Sequence, residues 1–122
     1  MSRRGQSSAG QASVEFALVL PIVVVMGLGL VAIGLAVRNE LAVELAAREG
    51  ARAAAVSRAP AAAATAAATR AVRLPISVST VDDGTTVTVT VRYTDAVDIA
   101  LVGTLIGPVT HTATVTMAIE PP

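Results

Sequence analysis

The sequence predicts an α+β protein with one long N-terminal helix, a short alanine-rich helix and a three-stranded antiparallel β-meander. Residues 16–37 form an unbroken apolar run, and residues 38–59 are rich in helix-forming side chains. From Leu74 onward, apolar residues alternate with threonine, serine and other polar residues. Buried helix positions recur every 3.6 residues and half-buried strand positions every two, so the element type changes near Leu74.

The apolar run reads FALVLPIVVVMGLGLVAIGLAV from Phe16 to Val37 and contains no charged residue. As a helix it would be about 33 Å long, enough to cross a hydrocarbon layer of about 30 Å. A soluble helix normally keeps a polar stripe, and this run is apolar on every side. A chain of 122 residues leaves little material to bury such a helix in a core. We therefore predict a single membrane-spanning segment over residues 16–37.

The helix is expected to continue beyond this span. Residues 38–59 contain no proline, and Glu44 stands four positions before Arg48 in the favourable orientation for an ion pair. We predict one amphipathic continuation, giving a helix over residues 11–59 of about 73 Å. Pro21 and Gly50 are the two positions where it is expected to bend or soften.

The dipeptide Ala59-Pro60 ends this helix, and residues 61–72 predict the alanine-rich second one. Strands are predicted from Leu74 to the turn residues Asp82-Asp83-Gly84, from Thr86 to Tyr93, and from about Val109 to Glu120. One face of the sheet is predicted to be apolar, with Leu74, Ile76, Val78, Val87, Val89, Val91, Tyr93, Ala113, Val115, Met117 and Ile119. That face must be covered, and the alanine-rich helices are the predicted cover. Residues 94–108 are expected to form a longer connection whose apolar part is partly exposed or folds back onto the sheet.

Composition argues against catalysis. The chain has no cysteine and one histidine, which excludes disulfides, thiolate metal sites and multi-histidine metal sites. His111 shares the inward face of its strand by parity, but at the start of a strand we expect it at the rim of the sheet. The arginines lack aromatic neighbours for base stacking. We therefore expect no enzyme activity, no cofactor, no metal, no nucleic acid and no small-molecule substrate.

Charge is unevenly distributed although the formal net charge is zero. Residues 1–73 contain eight arginines and four glutamates, and residues 74–122 contain one arginine and five acidic residues. A basic stalk joined to an acidic head suits polar contacts between copies, and a solvated surface explains it equally well.

Two short motifs flank the apolar run. A basic leader with Arg3 and Arg4 ends at Gly10-Gln11. Glu15 and Phe16 follow at the beginning of the apolar run. An ionisable side chain at that depth is expensive, so Glu15 is a functional candidate. Beyond the run stands LAAREGAR, from Leu45 to Arg52.

This arrangement resembles the class III signal of type IV pilins and pseudopilins. More closely, GQASVEFALVLP and LAAREGAR resemble the TadE-like family of tight-adherence (Flp-type) pilus assembly proteins. The resemblance implies that a prepilin peptidase cuts between Gly10 and Gln11, and that Glu15 and Phe16 act in recognition and assembly. It also makes Arg48, Glu49, Gly50 and Arg52 the residues of the second motif. The implied partners are the bilayer, the prepilin peptidase, other pseudopilins, the major pilin and the inner-membrane assembly platform.

The resulting hypothesis is a minor pseudopilin with three parts. Residues 1–10 are a cytoplasmic leader without structure of its own, residues 11–59 the anchoring helix, and residues 60–122 a small extracytoplasmic head. Arginines flank both ends of the span, so the cytoplasmic N-terminus is taken from the resemblance. The alternative is an unprocessed single-pass envelope protein whose head binds another envelope protein. A cleaved secretory signal ending near Ala36 ranks third, because the apolar run is long for one.

Overall fold

The computed structural model describes residues 2–95 and 101–120, with side chains from Ala9 onward. The elements in chain order are α1 (Ser2–Ala55), α2 (Pro60–Ala71), β1 (Ser77–Asp82), β2 (Thr86–Asp95), α3 (Val102–Ile106) and β3 (Val109–Ala118). The predicted α+β fold is confirmed: one long helix, one short alanine-rich helix and three antiparallel strands. Helix α3 is an addition that the sequence patterns did not predict.

Helix α1 is continuous for 54 residues, which corresponds to about 81 Å. It passes through Pro21 without a break, as predicted. The leader was expected to lack structure, and that was wrong because α1 begins at Ser2. Extending an existing helix avoids the cost of nucleation, so a serine- and glycine-rich segment can be helical here although it would not be so alone.

The C-terminal end of α1 also differs from the prediction. The helix stops at Ala55 rather than Ala59, and the carbonyl of Ala55 accepts a hydrogen bond from the backbone N–H of Glu120 at 3.0 Å. A contact with the end of the sheet therefore replaces the next helical turn. Pro60 then opens α2 at a position where its missing N–H costs nothing.

The sheet is an antiparallel meander in the order β1-β2-β3. Val87, Val89 and Val91 of β2 are fully buried, so the alternation in the sequence correctly identified the inward face. Strand β1 begins at Ser77 rather than Leu74, because Pro75 has no N–H to donate to the ladder. On the outward face threonines pair across strands, with hydroxyl oxygens 2.9 Å apart for Thr88 and Thr116.

The core is small and consists mostly of alanine and valine. Its buried members come from the second half of α1, from α2 and from the inward face of the sheet: Val43, Ala46, Ala47, Ala51, Ala54, Ala55, Ala64, Ala68, Val87, Val89, Val91 and Ala113. The predicted cover of the sheet by alanine-rich helices is thus confirmed. Half of these residues belong to α1, so the head is built on the C-terminal half of the long helix.

The turn between β1 and β2 is held by Asp83. Its carboxylate accepts hydrogen bonds from the backbone N–H groups of Thr86 and Thr85, at 2.6 and 2.9 Å, and from the Thr86 hydroxyl at 3.0 Å. These bonds, led by that from the Thr86 backbone, lower the pKa of Asp83 below its ordinary value. A carboxyl whose pKa is lowered on folding stabilises the fold above its unfolded pKa. That contribution is lost as the pH falls through the folded pKa.

The burial of Val89 gives a test of the face assignment. Replacing Val89 by Asp places an unpaired charge among α1, α2 and the sheet, and should lower the free energy of unfolding by several kcal/mol. Thr112→Asp is the control, because Thr112 is exposed and pairs in register with Arg92. Thermal unfolding of the full chain in detergent, followed by circular dichroism, measures both. Equal melting temperatures for the two variants would contradict the assignment.

Candidate functional site

The residues of the first motif lie on the free end of α1. Gly10, Gln11, Glu15 and Phe16 are all exposed, and so is every other residue from Ala9 to Gly27. Gln11 and Glu15 are four residues apart, which puts them about 6 Å apart along the helix axis on neighbouring turns. This end of the helix therefore presents a bare apolar surface with one carboxylate near its beginning.

The apolar stretch of α1 is uncovered by the head over most of its length. Among the described residues, α1 is the one helix that is long and apolar enough to cross a membrane, and its most apolar stretch is not buried. Large side chains are exposed along it at Phe16, Leu18, Val19, Leu20, Ile22, Val23, Val24, Val25, Met26, Leu30, Val31, Ile33, Leu35 and Val37. A core helix would be covered by its own chain, so this surface suits contact with lipid or with other apolar helices.

Gly50 of the second motif lies where three elements meet. A β-carbon built on Gly50 would lie 3.1 Å from Val89 Cγ1, 3.2 Å from the carbonyl oxygen of Ala64 and 3.5 Å from Ala68 Cβ. Helix α1 continues through Gly50 without interruption. Gly50 is a packing position, and its lack of a side chain lets α1 approach both α2 and β2.

The charged residues of the same motif face outward. Arg48 Nη2 is 3.2 Å from Glu44 Oε2, which confirms the predicted pair. Both side chains are substantially exposed, so a pair of this kind contributes only about 0.3–0.5 kcal/mol. Glu49 borders a shallow groove that also includes Arg70 of α2, and Arg52 is exposed. The motif therefore combines a close-packed inner side with a charged outer side.

The structure does not bring the two motifs together. Glu15 and Gly50 are separated by about 53 Å along α1, at 1.5 Å per residue. The first motif lies on bare helix and the second is part of the head. They therefore cannot form one site within a single copy of the chain.

A polar pair between the buried His111 and the partly exposed Glu40 was not predicted from the sequence. His111 is only 6% exposed, and its Nδ1 lies 2.9 Å from Glu40 Oε2. The expectation of a rim position was wrong. Strand parity does turn His111 inward, and Glu40 shares its helix face with Val43 and Ala47 at helical spacing, so the carboxylate reaches over the start of the strand. That spacing was the signal that could have identified the pair.

Three further side chains extend this pair into a polar cluster, defined here as Asn39, Glu40, Tyr93, Asp95 and His111. The rings of Tyr93 and His111 are stacked, with centroids 6.3 Å apart. Asn39 Nδ2 donates to Asp95 Oδ2 at 2.9 Å, and the Tyr93 hydroxyl donates to the other carboxylate oxygen at 3.5 Å. Burial, with a further contribution from the Asp95 carboxylate, raises the pKa of Tyr93. The cluster ties α1 to β2 and β3 immediately after the apolar run.

The polar cluster joins side chains of α1, β2 and β3. Within residues 2–95 and 101–120, no group of three or more histidine, aspartate and glutamate side chains is arranged to hold a metal ion. Hydrogen bonds and ring stacking hold the three elements together, and His111 Nε2 is buried without a hydrogen-bond partner among the described residues. What it can do is fix the angle and position of α1 against the sheet.

Both motifs and the helix between them fall within a segment that resembles one known family. Residues 10–52 match the TadE-like protein family. The resemblance inferred from GQASVEFALVLP and LAAREGAR is confirmed over this segment, which begins at Gly10 and ends at Arg52. The match suggests an association with Tad pili, and the apolar helix within it suggests membrane anchoring. No curated protein and no solved structure matches the chain.

The TadE-like segment thus includes the bare end of α1 and about half of the helix residues that form the core of the head. Its last part, residues 43–52, contributes Val43, Ala46, Ala47 and Ala51 to the core, together with the contact at Gly50. The rest of the head lies outside the matched residues. The match therefore covers the apolar stretch of α1 and its attachment to the head.

Gly50 offers a direct test of that attachment. Gly50→Leu should destabilise the head by about 3 kcal/mol, because the added carbons have no room between α2 and β2. Gly34→Leu is the matched control in the same helix, since a β-carbon there meets nothing within 4 Å. Urea unfolding of both variants in detergent gives the comparison. A loss no larger than that of the control would show that Gly50 is not a close-packing position.

The His111–Glu40 pair is tested by a double-mutant cycle with His111→Ala and Glu40→Ala. Because His111 is buried, we expect a coupling of about 1 kcal/mol or more between the two sites. The control is the cycle for Glu44 and Arg48, an exposed pair on the same helix, whose coupling should be about 0.3–0.5 kcal/mol. Equal couplings in the two cycles would mean that the buried pair does not help to hold α1 on the sheet.

Proposed function

We propose that the protein is a minor pseudopilin-like structural component of Flp/Tad-type pilus assembly. The observation that supports this best is that the TadE-like segment begins at Gly10, at the start of a helix surface that the head leaves bare. Residues 16–37 anchor the protein in the inner membrane, with the N-terminus in the cytoplasm and the head on the other side. The role is structural, without catalysis, cofactor or small-molecule substrate.

Processing by a prepilin peptidase is the first step of this proposal. The Gly10–Gln11 bond lies in an exposed part of α1, and a peptidase needs the backbone there to open from the helix. Glycine is about 1 kcal/mol less favourable in a helix than alanine, so Gly10 and the neighbouring Gly5 reduce the cost of that opening. Cleavage would leave Gln11 as the new N-terminus.

Glu15 then determines the axial position of one helix relative to its neighbour during assembly. The new α-amino group of Gln11 would lie one turn from Glu15, and in a bundle of helices it could meet the carboxylate of a neighbouring copy. Away from bulk water such an ion pair is weakly screened, although desolvation offsets part of the gain. Only one axial stagger brings the charges together. The neighbours are other pseudopilins or the major pilin, and the assembly platform receives the bundle.

The alternative is an unprocessed single-pass envelope protein whose head binds another envelope protein. The two functions differ in the mature N-terminus. Mass spectrometry of the protein from its own membranes should find Gln11 at the N-terminus if it is processed, and the original start if it is not. A start near Val37 would instead indicate a secretory signal.

Assembly is tested with Glu15→Leu in the producing cells. We expect normal membrane insertion, since a charge has been removed from the edge of the apolar run, together with loss of sheared pili. Val14→Leu is the control, because it enlarges a neighbouring exposed side chain without changing charge. Gly10→Leu should leave the uncut precursor in the membrane. Normal pilus yield from the Glu15→Leu strain would overturn the pseudopilin role and leave the plain membrane protein.

A further inference from the structure

The connection between β2 and β3 presents an unusual apolar surface. In the segment 101–106, which we call the apolar finger, Leu105 is 80% exposed, Ile106 61% and Leu101 57%. The stretch from Leu101 to Thr110 contains no charged residue. Three large apolar side chains on one short segment would be poorly placed in water.

The finger lies beside the apolar run of α1 and not beyond its end. A groove of about 280 Å³ separates the two, lined on α1 by Gly29, Ala32, Ile33 and Ala36 and on the finger by Val102 and Ile106. Counted back from Val37, these α1 residues lie about 2 to 12 Å inside the apolar run. A helix that crosses a bilayer with residues 16–37 therefore brings the finger to the level of the lipid boundary.

We propose that the apolar finger is a second membrane contact, which inserts Leu101, Leu105 and Ile106 into the outer boundary of the bilayer next to α1. This rests on the membrane anchoring proposed above. The occupant is lipid because the exposed side chains of the finger continue the bare apolar surface of α1 at the same depth. The finger thus adds a second point of membrane contact beside α1, on the side of the head.

The geometry also limits how deep the finger goes. Helix α3 has only five residues, so most of its backbone N–H and C=O groups lack partners within the helix and cannot enter dry hydrocarbon. Interfacial apolar segments are buried about 5–10 Å at the boundary of headgroups and acyl chains, where water still reaches the backbone. Asp95 and His111 line the same groove and mark its polar end. The polar cluster and the finger together fix the height of the head above the membrane.

Single-cysteine labelling tests this directly, because the chain has no cysteine of its own. Full-length Leu105→Cys, Val24→Cys and Thr114→Cys proteins carry a polarity-sensitive fluorophore and are reconstituted at one copy per nanodisc. Lipids with a nitroxide at a shallow acyl carbon act as quencher. Val24 reports the span, Leu105 the finger, and Thr114 the exposed outer face of the sheet.

We expect severalfold stronger quenching at positions 24 and 105 than at position 114. Strong quenching at 24 with no more quenching at 105 than at 114 would overturn the finger and leave the anchor intact. Absence of quenching at 24 would instead overturn the membrane anchor itself. Thr104→Cys supplies a second reporter in the finger, so that one badly tolerated label does not decide the result.

A second copy of the chain is the competing occupant of this surface. Vesicles with densely packed protein distinguish the two. If the label at position 105 is quenched equally in single-copy discs and dense vesicles, its neighbour is lipid. If it is unquenched in the discs and shifts to an apolar emission only in dense vesicles, the finger binds another copy and the proposal fails.

Discussion

At Gly50 the long helix passes so close to the sheet that a single added β-carbon would lie 3.1 Å from a methyl group of Val89. Around this point the inner side of α1 carries only small side chains, with Val43 as the largest, and α2 contributes Ala64 and Ala68. Because these side chains are small, the two helices and the sheet can approach closely and form one thin, filled core. A head of about sixty residues buries little surface alone, so the second half of α1 is required to complete its core. The anchor and the head are consequently one folding unit.

That constraint has a mechanical consequence. No linker separates the apolar run from the head, because α1 is one helix from Ser2 to Ala55 and its last three turns lie in the core. A rotation or axial shift of the helix is therefore passed to the sheet directly. The polar cluster reinforces this coupling just after Val37, where Glu40 and His111 join helix and strand. Under the proposed function, the charge of Glu15 selects the axial stagger between neighbouring helices. Because helix movement is passed to the sheet, that stagger would set the position of a head about 50 Å away.

Local patterns in the sequence were sufficient for most of the fold. The Val/Thr alternation identified the inward face of β2, and Pro60 located the start of α2. Three features were not predicted, each for a physical reason. Helix α3 is too short for a helical period to be visible in five residues. In the sequence, Gly50 is recognisable only as a residue of low helix propensity. The need for a glycine there is steric, because α2 and β2, which come later in the chain, pack against this position. His111 meets the Glu40 carboxylate 71 residues earlier, so the pair could be found only by combining the strand parity of His111 with the helix face of Glu40.

The first motif was located by sequence, but it lies on exposed helix where contacts within the chain do not explain it, whereas the second motif is explained by such contacts. This difference follows from the environments that α1 crosses. From Ala9 to Gly27 the residues of α1 are exposed and are not covered by the described part of the head, so this surface suits contact with lipid or with other apolar helices. From Asn39 onward every turn faces the sheet or α2, and a helical period of small residues appears. Between them, Gly29, Ala32, Ile33 and Ala36 line the groove beside the apolar finger. A helix that serves three environments in succession has no single amphipathic stripe, because each stretch repeats the pattern that its own surroundings require.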